Sequence, residues 1–123
     1  MEKLISRKQH GFADYTYIPL IAAAPEVFGF EDEDTATLLC RIQGGTVLLT
    51  SLLTRAEWGL FKVIPFKTHL LLDLSLGAFS MAAPWVFGFS KNKKARNAFL
   101  LMGATSVAAS LLTEPEEMPV TES

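Results

Sequence analysis

Two histidine–aspartate pairs are the residues of this sequence best suited to chemistry. His10 and Asp14 are four residues apart, and so are His69 and Asp73. In a helix that spacing sets both side chains on one face. Three uses are open. The first is structural: a carboxylate in the first turn of a helix satisfies free amides and the dipole and accepts a bond from the histidine, which keeps an otherwise costly membrane carboxylate satisfied. The second is an ionisable site for a proton, a cation or a lipid headgroup. The third is a metal or haem site, since two nitrogen and two oxygen ligands suit zinc or iron. The His-x-x-x-Asp spacing is a weak motif alone, and its duplication counts only if the two copies meet in space. No phosphate-cradling glycine loop, nucleophile elbow or basic nucleic-acid patch is present. No catalytic residue or enzyme class is therefore assigned, and no cofactor beyond the metal or haem alternative.

The elements that must position these pairs follow from a repeat. A shift of 59 positions lays Lys3 on Lys62, Ile5 on Ile64, Lys8 on Lys67, His10 on His69 and Asp14 on Asp73. Ala23-Ala24-Pro25-Glu26-Val27-Phe28-Gly29-Phe30 then falls on Ala82-Ala83-Pro84-Trp85-Val86-Phe87-Gly88-Phe89, and Ser51-Leu52-Leu53-Thr54 on Ser110-Leu111-Leu112-Thr113. The chain reads as a tandem duplication, repeat one 1–59 and repeat two 60–113, in one domain over 1–123.

Composition sets the surroundings. Of the 123 residues, 50 % are hydrophobic and 20 % charged, and many of the charges are segregated into Glu31–Asp34, Lys91–Arg96 and the stretch from Glu114. Long apolar runs between charged loops describe a membrane protein. A net charge of -2 implies no polyanionic partner, and the single cysteine, Cys40, excludes an intrachain disulfide and reads as a small packing or lipid-facing residue. Lys3, Arg7 and Lys8 before an apolar stretch imitate a signal peptide. The recurrence of that stretch at 69–89 argues instead for a retained membrane helix.

Four membrane helices are expected, over about 11–30, 35–54, 68–89 and 97–113, preceded in each repeat by a short amphipathic segment at headgroup level (1–9 and 60–68), with a disordered acidic tail at 114–123. Pro19 and Pro25 inside the first helix are tolerable in lipid only where neighbours satisfy the freed backbone. A soluble four-helix bundle would need a polar face on every helix, and the third and fourth show none. Gly44 and Ser51 are seven apart, as are Gly103 and Ser110. Such small-residue faces let helices approach closely, inside the molecule or against a protein partner or second copy. Trp85 suits an interfacial aromatic belt. Glu26 and Arg41 have no counterpart in the other repeat and could pair.

The residues Ile5-Ser6-x-Lys8-x-His10-Gly11-x-x-Asp14-Tyr15 and Ala-Ala-Pro-x-Val-Phe-Gly-Phe, both echoed in repeat two, resemble the SPW-repeat family of small prokaryotic integral membrane proteins. Ala24-Pro25-Glu26 and Ala83-Pro84-Trp85 stand where that family has Ser-Pro-Trp, so Pro25, Gly29, Pro84, Trp85 and Gly88 carry its structural signature. The resemblance implies an all-α, four-transmembrane-helix bundle made of two two-helix units, in the cell membrane, and it implies no activity. The expected function is that of a structural or interaction module. The alternatives are ion, proton or small-solute handling through the His–Asp pairs, or a metal- or haem-binding redox protein. Lys3, Arg7, Lys8, Arg55, Lys62 and Lys67 against Lys91, Lys93, Lys94 and Arg96 place both termini in the cytoplasm by the positive-inside rule.

Overall fold

The computed structural model describes residues 4–116. These form four helices, α1 (Arg7–Phe28), α2 (Asp34–Leu53), α3 (Phe66–Val86) and α4 (Lys93–Leu112). The only extended pairing among the described residues is two isolated bridges, Ile5 with Thr113 and Thr54 with Ile64. Residues 114–116 are not helical. The rest of the tail expected at 114–123 lies outside the described residues.

All four helices begin earlier than expected, α2 by a single residue, and for the others the reasons are local. α1 starts at Arg7 rather than Gly11 because Ser6 caps it: the Ser6 hydroxyl accepts from the Gln9 amide at 3.2 Å and the Gln9 side chain accepts from the Ser6 amide at 2.9 Å. This reciprocal box satisfies two otherwise orphaned donors. α4 starts at Lys93 rather than Asn97 because the Asn92 side chain accepts from the Ala95 amide at 3.1 Å. The lysines at 93 and 94 thus belong to a first helical turn. α3 starts at Phe66, behind Pro65. At the other ends, α1 and α3 stop before Gly29 (φ 76°) and Gly88 (φ 79°), left-handed positions that suit glycine. The next amides, of Phe30 and Phe89, donate back to the carbonyls of Pro25 and Pro84, both at 2.8 Å.

α1 packs along α2 and α3 along α4, the two hairpins meet through α1 with α4 and α2 with α3, and α1 and α3 lie diagonally. Gly77 and Gly103 let α3 and α4 touch: a Cβ on Gly103 would sit 2.6 Å from the Gly77 carbonyl oxygen and 2.4 Å from Met81 Cγ. Gly44 packs on Ala22 of α1. Gly44, Ser51, Gly103 and Ser110 are all buried within the chain. This corrects the expectation that their faces could receive a protein partner or a second copy; their close approach is spent inside the molecule.

Large apolar side chains cover the outside of the bundle, while several polar ones are buried beside its apolar core. His10, Asp14, Gln43, Ser51, Ser80 and Ser110 are buried, whereas Phe12, Leu20, Leu38, Ile42, Leu71, Phe79, Leu101 and Leu111 are exposed. One end of the interior is closed by Phe30, Phe89 and Phe99 with Cys40 beside them. α2, α3 and α4 are long and apolar enough to cross a membrane. Four such helices were expected, and α1 does not reach that standard, because His10, Asp14, its tyrosines and its prolines dilute its apolar content. In the linker, Leu60, Phe61 and Val63 are exposed apolar residues, as an interfacial segment requires.

Candidate functional site

The four residues of the His–Asp pairs meet. His10 and Asp14 lie on the inward face of α1, and His69 and Asp73 on that of α3, with relative exposures of 2, 8, 2 and 5 %. His10 Nε2 is 2.8 Å from Asp73 Oδ2, and His69 Nε2 is 2.7 Å from Asp14 Oδ2. The contacts within each helix are longer, 3.3 Å for His10–Asp14 and 3.1 Å for His69–Asp73. Nitrogen and oxygen thus alternate around a closed ring. One symmetric polar layer of all four groups is the expectation from the duplication, with each pair serving only its own unit as the alternative should α1 and α3 sit on opposite corners. The side chains reach across the axis, and the stronger contact of each pair is to the other hairpin.

The outer nitrogens are held as well. His10 Nδ1 is 2.8 Å from Thr113 Oγ1, and His69 Nδ1 is 2.7 Å from Thr54 Oγ1. Both threonine hydroxyls donate to carbonyls one turn back, of Ala109 and Thr50. The bridges Ile5–Thr113 and Ile64–Thr54 hold those helix ends in place. The imidazole–threonine bonds and the two bridges join one hairpin to the other, so neither hairpin builds the site alone. Phe66 walls the ring, 5.8 Å from His10 edge-on and 6.1 Å from His69 in a stack.

The first-turn cap assigned to the carboxylates is corrected by this geometry. Because α1 and α3 begin early, Asp14 and Asp73 lie about two turns inside, where helix amides are already bonded. Their partners are imidazoles.

A cavity of about 240 Å³ between α1 and α4 is lined by His10, Asp14, Tyr17, Asp73 and Ser106, among others. A second, of about 250 Å³ between α2 and α3, reaches Asp73 past Thr46 and Thr50. Deeper in the bundle, Tyr17, Gln43, Ser80 and Ser106 surround a space of about 10 Å³, and Gln43 Nε2 has no hydrogen-bond partner. The polar line ends there, short of the phenylalanine plug.

The remaining candidates are placed elsewhere. Arg41 donates to both carboxylate oxygens of Glu26 and to the Ala22 carbonyl, on a surface where the two side chains are 44 and 45 % exposed. Pro25 and Pro84 are buried and Trp85 is exposed, all three near the end away from the quartet. Cys40 is fully buried. Beside the quartet, Arg7 makes a two-pronged pair with Glu57 at 2.9 and 2.7 Å, and that guanidinium holds the Glu57 carboxyl below the usual carboxylate range. Thr54 and Thr113 were not singled out as site residues from sequence. Their signal was the Ser-Leu-Leu-Thr repeated at 51–54 and 110–113.

The family model described as the SPW repeat domain matches residues 8–113, which includes the whole quartet. No curated protein and no solved structure matches the chain.

Proposed function

This chain belongs to the SPW repeat family, and from that premise we propose that it is a four-pass integral membrane protein whose working part is one buried cation site, the His10–Asp14–His69–Asp73 quartet. The observation that carries this reading is the cavity that reaches Asp14 and Asp73 beside the converged ring. An inert structural core would be packed there rather than left open. α1 is taken as the fourth span. Its 22 residues cover roughly 33 Å, and the ionisable His10 and Asp14 of its first turns face inward. Four crossings arise from two duplicated hairpins, repeat one 1–59 and repeat two 60–113, in one membrane domain of a prokaryotic cell.

The site is a binding centre reached from one membrane face rather than a through-pore, since Phe30, Phe89 and Phe99 close the opposite end. The simplest cation it exchanges is the proton. A second reading, that the quartet only ties the hairpins together, has the cross-hairpin bonds in its favour. Infrared difference spectra of the protein in lipid, taken across a pH step, separate the two. The cation-site reading expects a carboxyl band that disappears in Asp14→Asn with Asp73→Asn while the amide bands of the folded bundle stay. Identical spectra from that variant and the parent would leave only the structural tie.

A further inference from the structure

We propose that the quartet binds one divalent transition-metal ion of the zinc class. This deepens the cation-site reading and rests on it. The argument begins at the threonines. Thr54 Oγ1 and Thr113 Oγ1 each spend their only hydrogen on a helix carbonyl. Toward the imidazoles they can therefore only accept, so Nδ1 of His10 and of His69 carries the hydrogen. That leaves Nε2 of both rings pointing at carboxylate oxygens 2.8 and 2.7 Å away. A lone pair does not sit at that distance from a carboxylate unaided. Something positive must lie between them, either a proton on each contact, carried by the ring or by the carboxyl, or a shared metal ion.

The donor set fits an ion. Two imidazole nitrogens and two carboxylate oxygens lie within 4.8 Å of one another. The four edges of the ring run from 2.7 to 3.3 Å. Tetrahedral zinc, with bonds of about 2.0–2.2 Å, spaces its ligand atoms by about 3.3 Å. Small side-chain rotations connect the two arrangements. Nitrogen donors disfavour magnesium and calcium, which take oxygen ligands. The threonines play the part that a ligating histidine ordinarily asks of its surroundings, fixing tautomer and ring orientation through the other nitrogen. Haem fits poorly, because carboxylate oxygens occupy the space between the two Nε2 atoms where a porphyrin plane would pass.

Charge balance explains how a buried site could accept the ion. Without metal, two imidazolium rings face two carboxylates and the quartet is neutral. A divalent ion that displaces one proton from each Nε2 leaves two neutral imidazoles, two carboxylates and the ion, again neutral. Binding thus exchanges one metal ion for two protons, with no net charge brought into the bilayer.

The test uses the full-length chain, without an oligohistidine tag, purified in detergent and stripped with a chelator. Zinc is added, unbound metal is removed, and retained metal and released protons are measured; cobalt is substituted for its visible spectrum. The expected result is one zinc per chain, about two protons released per ion, and the strong visible bands of tetrahedral cobalt. His10→Gln with His69→Gln removes both histidines of the chain and should abolish retention. Should that variant not fold, Thr54→Val with Thr113→Val keeps all four ligands and should weaken binding about 10–100-fold. No retained zinc in the parent, or zinc retained equally by the double histidine variant, overturns the proposal. If zinc fails while the pH-dependent carboxyl band persists, only the metal assignment falls and the cation site stands.

Discussion

At the residue scale, what distinguishes this site is less the four ionisable groups than the two hydroxyls behind them. Thr54→Val keeps the shape of the side chain and removes the only acceptor for His69 Nδ1–H. A buried donor left unpaired costs about 1–3 kcal/mol, so Thr54→Val is expected to lower stability by that amount, and Thr113→Val likewise, measured by chemical denaturation in detergent. Thr16→Val is the control, because its hydroxyl bonds only a carbonyl of its own helix on an exposed surface; it should change little. The Arg7–Glu57 pair at the same end yields a pH prediction. The Glu57 carboxyl is held below its ordinary value of 4.5 by hydrogen bonding to Arg7. A depressed carboxylate contributes stability above its unfolded value and loses it as pH falls through the folded one. The difference in Tm between the parent and Glu57→Gln should therefore be constant near neutral pH and shrink below about pH 4.5. With Glu57 partly exposed, it is worth less than about 1 kcal/mol. The pairs themselves were legible in the sequence, because a spacing of four fixes a shared helix face. Their crossed partnership was not. Periodicity says which way a side chain faces along its own helix but nothing of how far it reaches across a bundle axis.

At the scale of elements, the α3–α4 contact depends on two glycines and the neighbouring α2 offers an internal comparison. A Cβ at Gly103 meets backbone, the Gly77 carbonyl, as well as Met81, so neither a rotamer change nor a small shift relieves it. Gly103→Ala is expected to cost roughly 1–3 kcal/mol by pushing the helices apart. Gly45 has nothing within 4 Å of the same added atom. Gly45→Ala is expected to be neutral or to gain up to about 1 kcal/mol through helix propensity. Unfolding in detergent measures both; equal effects would refute the close-packing account of α3 and α4. Helix number and order were readable from the hydrophobic runs, and the helix starts were not. Ser6 and Asn92 are ordinary polar residues until their side chains are seen to accept amides three residues on. The Ser6 cap moves the first turn of α1 upstream, and α3 begins at Phe66 directly behind Pro65, so Asp14 and Asp73 lie inside their helices as imidazole partners rather than at the ends as capping carboxylates.

At the scale of the whole molecule, the chain ends meet and the bundle has two chemically different ends. Ile5 bridges Thr113, so the described beginning and end of the chain lie at one face, together with the quartet and the Arg7–Glu57 pair. The acidic stretch at 31–34 and the basic stretch at 91–94 lie at the other, beyond the phenylalanine plug. The quartet face carries Arg7, Lys8, Arg55, Lys62 and Lys67, with Lys3 preceding them, against Lys91, Lys93, Lys94 and Arg96 opposite. By the positive-inside rule we propose that the quartet face is cytoplasmic. Acidic residues weigh little in that rule, so Glu31–Asp34 do not oppose the assignment. The prediction is that a cysteine placed by Asp32→Cys reacts with a membrane-impermeant maleimide added to intact cells, and that Lys62→Cys reacts only after lysis. Cys40→Ala provides the background, and the fully buried native thiol is expected to stay silent. The reverse labelling pattern would turn the molecule over and open the proposed cation site to the outside. The outcome matters for the chemistry, because it decides which compartment's protons and metal ions the quartet samples.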